Sequence, residues 1–234
     1  MSKAELIVAL DVPDLASMEA TLERLPDVIG WYKVGLELFC AEGPAVLESL
    51  KRREKKVFLD LKLHDIPRTV GRAVRQATAH GVDLLTVHAI GGRAMLEAAS
   101  EAARGAKHPP KLVAVTTLTS LSSEDFIDLG VGRTLEEQAV ALGRLAIDSG
   151  IDGLVTSAHE AGSLRETFSD ALLVVPGIRM PDGETGDQKR VATPGFAVAR
   201  GATHLVVGRP IVQSEHPSLS AEAILSDMNG GGAR

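Results

Sequence analysis

Short apolar runs alternate along the chain with longer amphipathic ones, and the alternation repeats eight times. The runs at 6–12, 31–37, 57–64, 84–89, 112–118, 153–157, 172–178 and 204–207 are rich in Val, Ile, Leu and Thr and read as strands. Most are continuously apolar, as strands covered on both faces must be, and their polar residues gather at the C-terminal ends. The segments between them have helical period. Asp14, Pro67 and Thr134 stand at helix starts, and Gly81, Gly150 and Gly201 follow helix ends, where a left-handed cap is expected. This pattern predicts an α/β fold: one (β/α)₈ TIM barrel of eight parallel strands, with residues 1–234 forming a single domain. An open doubly wound sheet fits the eightfold repeat less well. Two stretches, 120–133 and 180–193, exceed what simple connections need and are expected to be binding loops, the second carrying Gly183 and Gly186.

Composition narrows the function classes. Hydrophobic residues make up 44% of the 234 and charged ones 24%, enough apolar surface for one large core and no case for disorder. With 25 basic and 31 acidic residues the net charge is −6, and no run of like charge marks a nucleic-acid or membrane footprint. The basic stretch at 51–56 contains Glu54 and reads as a solvated helix end. Cys40 is the only cysteine, so no intramolecular disulfide is possible and a reducing, cytoplasmic setting is the simplest expectation. The polar first residues lead straight into the first strand without the apolar stretch of a signal peptide, and no segment approaches membrane-spanning length.

In a barrel, reacting groups sit where strands end at the C-terminal face. The first strand ends at Asp11, the second carries Lys33, the third ends in Asp60, Lys62, His64 and Asp65, and the fifth leads to Thr119 and Ser120. Strand period two puts Asp60, Lys62 and His64 on one face and Leu59, Leu61 and Leu63 on the other. Two lysines and two carboxylates at one barrel mouth must neutralise one another, because an unpaired buried charge is very costly. The bland alternative is an ion-pair network that only fills the mouth. His64 reads as a structural histidine.

A second constellation follows the seventh and eighth strands, where barrels commonly bind phosphate: PGIR at 176–179 and VGRPI at 207–211. Arg179 and Arg209 can grip an anion with paired guanidinium donors, while Gly208 lets the backbone approach it. Gln188 lies in the long loop between them, and position alone leaves two readings open: a residue that folds over a bound phosphate, or part of a merely solvated loop.

Taken in order, LIVALD at 6–11, YKVG at 32–35, DLKLHDIPRT at 60–69, VTTLTS at 115–120, PGIR at 176–179, GDQKR at 186–190 and VGRPI at 207–211 resemble the orotidine 5′-monophosphate decarboxylase family in its bacterial form, over nearly the whole chain. The resemblance implies conversion of orotidine 5′-monophosphate to UMP and CO₂ in pyrimidine synthesis, with no cofactor and no metal. It implies that Lys62 is the proton donor and that Lys33, Asp60 and Asp65 complete the charge array. It also implies a homodimer in which Asp65 and Thr69 reach the partner's site. Asp11 is then expected at the ribose hydroxyls, Thr119 and Ser120 at the pyrimidine, and Arg179, Gln188, Gly208 and Arg209 around the phosphate. Departures are small: Arg68 stands where asparagine is common and Leu63 where phenylalanine is common.

Loss of CO₂ from C6 of the pyrimidine leaves a carbanion that the ring cannot delocalise as an enolate. The resemblance therefore assigns its stabilisation to the pre-positioned Lys62 ammonium, which afterwards donates the proton. Two other readings stay open. A magnesium-dependent sugar-phosphate lyase or aldolase shares the Asp-x-Lys strand but places a carboxylate ligand where Lys33 stands. A non-catalytic nucleotide-binding protein would share the fold alone.

Overall fold

The computed structural model describes residues 4–180 and 192–230. Eight parallel strands close into a barrel in chain order: β1 (Glu5–Ala9), β2 (Trp31–Val34), β3 (Lys56–Leu63), β4 (Leu84–His88), β5 (Lys111–Val115), β6 (Gly153–Val155), β7 (Leu172–Val175) and β8 (His204–Val207). The helices of the described residues are α1 (Leu15–Glu23), α2 (Leu36–Glu42), α3 (Ala45–Arg52), α4 (Pro67–Ala79), α5 (Arg93–Arg104), α6 (Ser123–Asp128), α7 (Leu135–Asp148), α8 (Ala158–Thr167), α9 (Pro194–Ala199), α10 (Arg209–Val212) and α11 (Pro217–Met228). None of them is long and apolar enough to cross a membrane.

Local chemistry sets the boundaries. The Asp14 carboxylate accepts the Ser17 N–H at 2.8 Å and starts α1. Pro67 opens α4, and Thr134 with Glu137 forms a reciprocal capping box on α7. Gly81, Gly150 and Gly201 all have positive φ, as their places after helices require. The stretch 120–133 is not the plain loop its length suggested, because it contains α6. Ser122 caps that helix and Asp125 answers, a Ser-x-x-Asp signature lying in the sequence. Several strands also stop short of their apolar runs. The second run ends at Val34 because Gly35 already caps α2, and the seventh at Val175, beyond which Ile178 makes only an isolated bridge to Ala192.

Two apolar layers hold the barrel. Inward-facing Ile7, Ala9, Phe58, Leu84, Val113, Val174 and Val206 fill its interior. The larger layer lies between strands and helices and includes Val8, Leu10, Leu59, Leu85, Ala114, Leu173 and Leu205. At the N-terminal end, the Trp31 and His204 rings meet edge to face at 5.5 Å, with the Lys56 ammonium 5.1 Å from the Trp31 ring centre. That end is closed by packing, which leaves the C-terminal end as the open mouth.

Candidate active site

Register explains how the charges meet. Lys33 pairs with Ala9 on one side and Phe58 on the other, so it stands one inward layer below both Asp11 and Asp60. Two residues of strand rise are about 7 Å, a distance that the long lysine stem spans. Its ammonium reaches 2.9 Å from Asp11 Oδ1 and 3.8 Å from Asp60 Oδ2. Asp60 Oδ2 in turn lies 2.8 Å from Lys62 Nζ. The result is a row of alternating sign, Asp11, Lys33, Asp60, Lys62, across the ends of three adjacent strands. The Lys33 and Asp60 side chains are only 11% and 13% exposed, so neither charge is tolerable without the other.

β3 does not end as a regular strand. Leu59 pairs with Leu85 and Leu63 with Val87, so three residues of β3 face the single Thr86 of β4. Lys62, within this bulge, has a left-handed backbone with φ 50. Leu59, Leu61 and Leu63 still pack outward and Asp60 and Lys62 still line the mouth, as strand period predicted. His64 does not line the cavity: it is exposed, with its ring 5.5 Å from that of His88. Burial, and then the charges of His64 and Lys62, lower the pKa of His88.

The mouth encloses a cavity of about 250 Å³. Asp11, Lys33, Asp60 and Lys62 form one wall; Thr119, Gly177, Arg179, Gly208 and Arg209 lie opposite or beside them. Gly208 sits close to the charge row: a Cβ there would stand 3.2 Å from Asp11 Oδ2 and 3.4 Å from Ala9 Cβ. Arg179 donates to the Ile178 carbonyl at 2.8 Å, and its own N–H bonds the carbonyl of Ala192 at 2.9 Å. Burial, and secondly the positive charge of Arg209, lower the Arg179 pKa below the ordinary arginine value. Two guanidinium groups that repel across a cavity favour an anion between them.

Not every expected residue gathers there. Asp65, Thr69 and Ser120 are exposed and do not line the cavity, and Asp65 instead accepts the Ile66 N–H at 2.7 Å. Gln188 lies outside the described residues. Sequence reasoning passed over two residues that the site uses. Thr86 donates to Asp60 Oδ1 at 3.0 Å and accepts the Lys62 N–H at 2.8 Å; its signal was a polar residue at the inward phase of an apolar strand. Gly35 lies under Lys33, where a Cβ would meet Nζ at 2.8 Å.

Comparison with known proteins agrees with this geometry. Residues 4–224 match the model of the orotidine 5′-phosphate decarboxylase / HUMPS family. The chain is 48% identical to an orotidine 5′-phosphate decarboxylase of Gloeothece citriformis, over 97% of this chain and 99% of the relative. It is 45% identical to that of Moorella thermoacetica, over 97% and 93%. The crystal structure of orotidine 5′-phosphate decarboxylase from Lactobacillus acidophilus superposes with a TM-score of 0.86 at 37% identity, over 97% of this chain and 99% of that one. The chain therefore belongs to the orotidine 5′-phosphate decarboxylase / HUMPS family.

Proposed function

We propose that this chain decarboxylates orotidine 5′-monophosphate to UMP and CO₂, the carboxy-lyase step of pyrimidine biosynthesis, as one catalytic barrel domain per chain. The observation that carries the reading is the unbroken row from Asp11 to Lys62 sharing one cavity with two arginines. The arginines and the Gly208 backbone hold the phosphate, with Gln188 assigned to the same end. The phosphate grip fixes the nucleotide so that its pyrimidine points at β3. Asp11, half-exposed and tied to Lys33, receives the ribose hydroxyls. Thr119 and Ser120 flank the base.

In the reaction the bond from C6 to the carboxylate breaks and its electron pair stays on C6. The Lys62 ammonium, already held at 2.8 Å from Asp60, offsets that charge without reorganising and then gives C6 its proton. Lys62 regains a proton from water once UMP leaves. The residues supply all of these steps, so the reading includes no metal and no organic cofactor. The magnesium-dependent lyase reading asks for a carboxylate where Lys33 stands. Here an ammonium lies between two carboxylates, which is adverse to a second cation at the same place.

The proposed array includes Asp65, which does not line the cavity of its own chain. Exposed, and followed by the exposed Ile66, it fits a homodimer in which Asp65 and Thr69 complete the partner's site. Such a dimer would work in the cytoplasm, with no nucleic-acid or membrane partner. The test is loss of orotidine 5′-monophosphate absorbance by purified protein before and after exhaustive chelation. Unchanged turnover in chelator is expected; no turnover, or turnover that chelation abolishes, rejects the reading.

A further inference from the structure

Lys62 carries the chemistry of the proposed decarboxylation from an unfavourable backbone. A residue with a Cβ is disfavoured at φ 50, and such a conformation persists only where its surroundings over-determine it. The bulge also takes Lys62 out of step with β4, since residues 60–62 share one opposing residue instead of three. Its N–H therefore needs an acceptor other than a ladder carbonyl in regular register.

We propose that Thr86 is a positioning residue for the reaction, its hydroxyl holding the β3 bulge so that the Lys62 ammonium stays against Asp60. One oxygen does two things at once. As acceptor it takes the Lys62 N–H at 2.8 Å, and as donor it gives its proton to Asp60 Oδ1 at 3.0 Å. The second bond leaves Oδ2 of the same carboxylate for the Lys62 ammonium at 2.8 Å and the Lys33 ammonium at 3.8 Å. Backbone and head group of the same lysine are thus tied to one hydroxyl, directly at one end and through Asp60 at the other. Thr86 is fully buried, so water does not compete for either bond. Its β-branched side chain has few rotamers, which keeps the oxygen aimed. Thr86 is not itself a lining residue of the cavity and, on this reading, does not touch the substrate; it acts through Asp60 and Lys62.

This inference rests on the proposed decarboxylation, and native protein run alongside separates the two. Thr86→Val keeps the shape and removes the hydroxyl; Thr86→Ser keeps the hydroxyl and removes a methyl. In Thr86→Val, kcat should fall about tenfold to a hundredfold, the scale for small displacements of reacting groups, while UMP affinity changes less than about threefold. Thr86→Ser should stay within about threefold of native in both. Active-site titration with UMP counts folded sites, so a loss confined to folding yield leaves kcat per site unchanged. The inference is overturned by a Thr86→Val kcat per site within about twofold of native, or by a folded Thr86→Ser that loses about tenfold. If Thr86→Val does not fold, the serine variant alone decides between these outcomes. Native protein without turnover would instead reject the decarboxylase reading.

Discussion

Gly35 lies directly beneath the ammonium of Lys33: a methyl on its Cα would stand 2.8 Å from Nζ and 3.4 Å from Asp11 Oδ1. Its backbone, with φ −96 and ψ −173, is open to any residue, so conformational freedom does not explain the glycine. Close approach does. In Gly35→Ala the obstructed atom is the end of a flexible side chain, so Lys33 gives way while the barrel stays folded. The expected result is an unfolding free energy, measured with urea, changed by under about 1 kcal/mol, with kcat/KM lowered about tenfold. Unchanged kcat/KM would show that the position of Lys33 is not critical.

On the proposed mechanism, Lys62→Ala removes both the charge at C6 and the proton donor. The remaining contacts still bind phosphate and ribose. Turnover should fall at least about a thousandfold, with UMP affinity kept within about tenfold. Single-turnover kinetics beside equilibrium UMP titration measure the two separately, and a protein that only binds nucleotide would show no such split.

Arg179 and Arg209 should act on affinity for the phosphate. Removing one charge-assisted hydrogen bond costs about 1.5–3 kcal/mol, so Arg209→Ala is expected to raise KM roughly tenfold to a hundredfold. Orotidine, which lacks the phosphate, is the control: its slow turnover by native protein and by Arg209→Ala should be alike. A loss of equal size with orotidine would place Arg209 elsewhere in the mechanism.

The eight strands, the helix starts at Asp14, Pro67 and Thr134 and the charged strand ends were legible because they follow from periodicity and capping chemistry within short windows. Pro67, Thr134 and Gly150 each sit where local rules put them. Thr86 was not legible as a site residue, because its importance arises from a bulge on a different strand. The left-handed Lys62 escaped for the same reason: nothing in DLKLHD announces that three residues will face one. Gly35 was quoted only as part of a motif; its physical role depends on where a lysine two residues away is drawn by Asp11 and Asp60. Short-range patterns are written in sequence, whereas cross-strand compensation is written in the pairing.

Asp65 provides a test of the homodimer. Lys62→Ala and Asp65→Ala chains should each be inactive alone. If Asp65 serves the partner's site, a mixed dimer has one site with native Lys62 and native Asp65 together. Refolding the two from an equal mixture should then restore about a quarter of native turnover, since half the dimers are mixed and half their sites intact. If Asp65 acts within its own chain, every site in the mixture lacks one group and nothing is recovered.

Acid should destabilise this protein through His204 before it protonates the carboxylates. Burial, and then the Lys56 charge, push the His204 pKa from 6.5 down to about 4, so it is neutral in the folded barrel at pH 5. The unfolded chain takes up that proton below about pH 6.5 and the folded one does not until about pH 4. More protons on the unfolded side mean that stability falls as pH drops through this window, by on the order of 2–3 kcal/mol in all, and His88 adds to the loss in the same direction. The lowered carboxylates of Asp14, Glu19 and Glu137 lose their contribution only below their unfolded values near pH 4, so the interval from pH 6.5 to 5 belongs to the histidines. Urea unfolding at pH 7.0, 6.0 and 5.0 reads the slope, and His204→Gln should flatten most of it. An equally steep slope in that variant would mean that the His204 ring, edge to face with Trp31, is not what acid attacks.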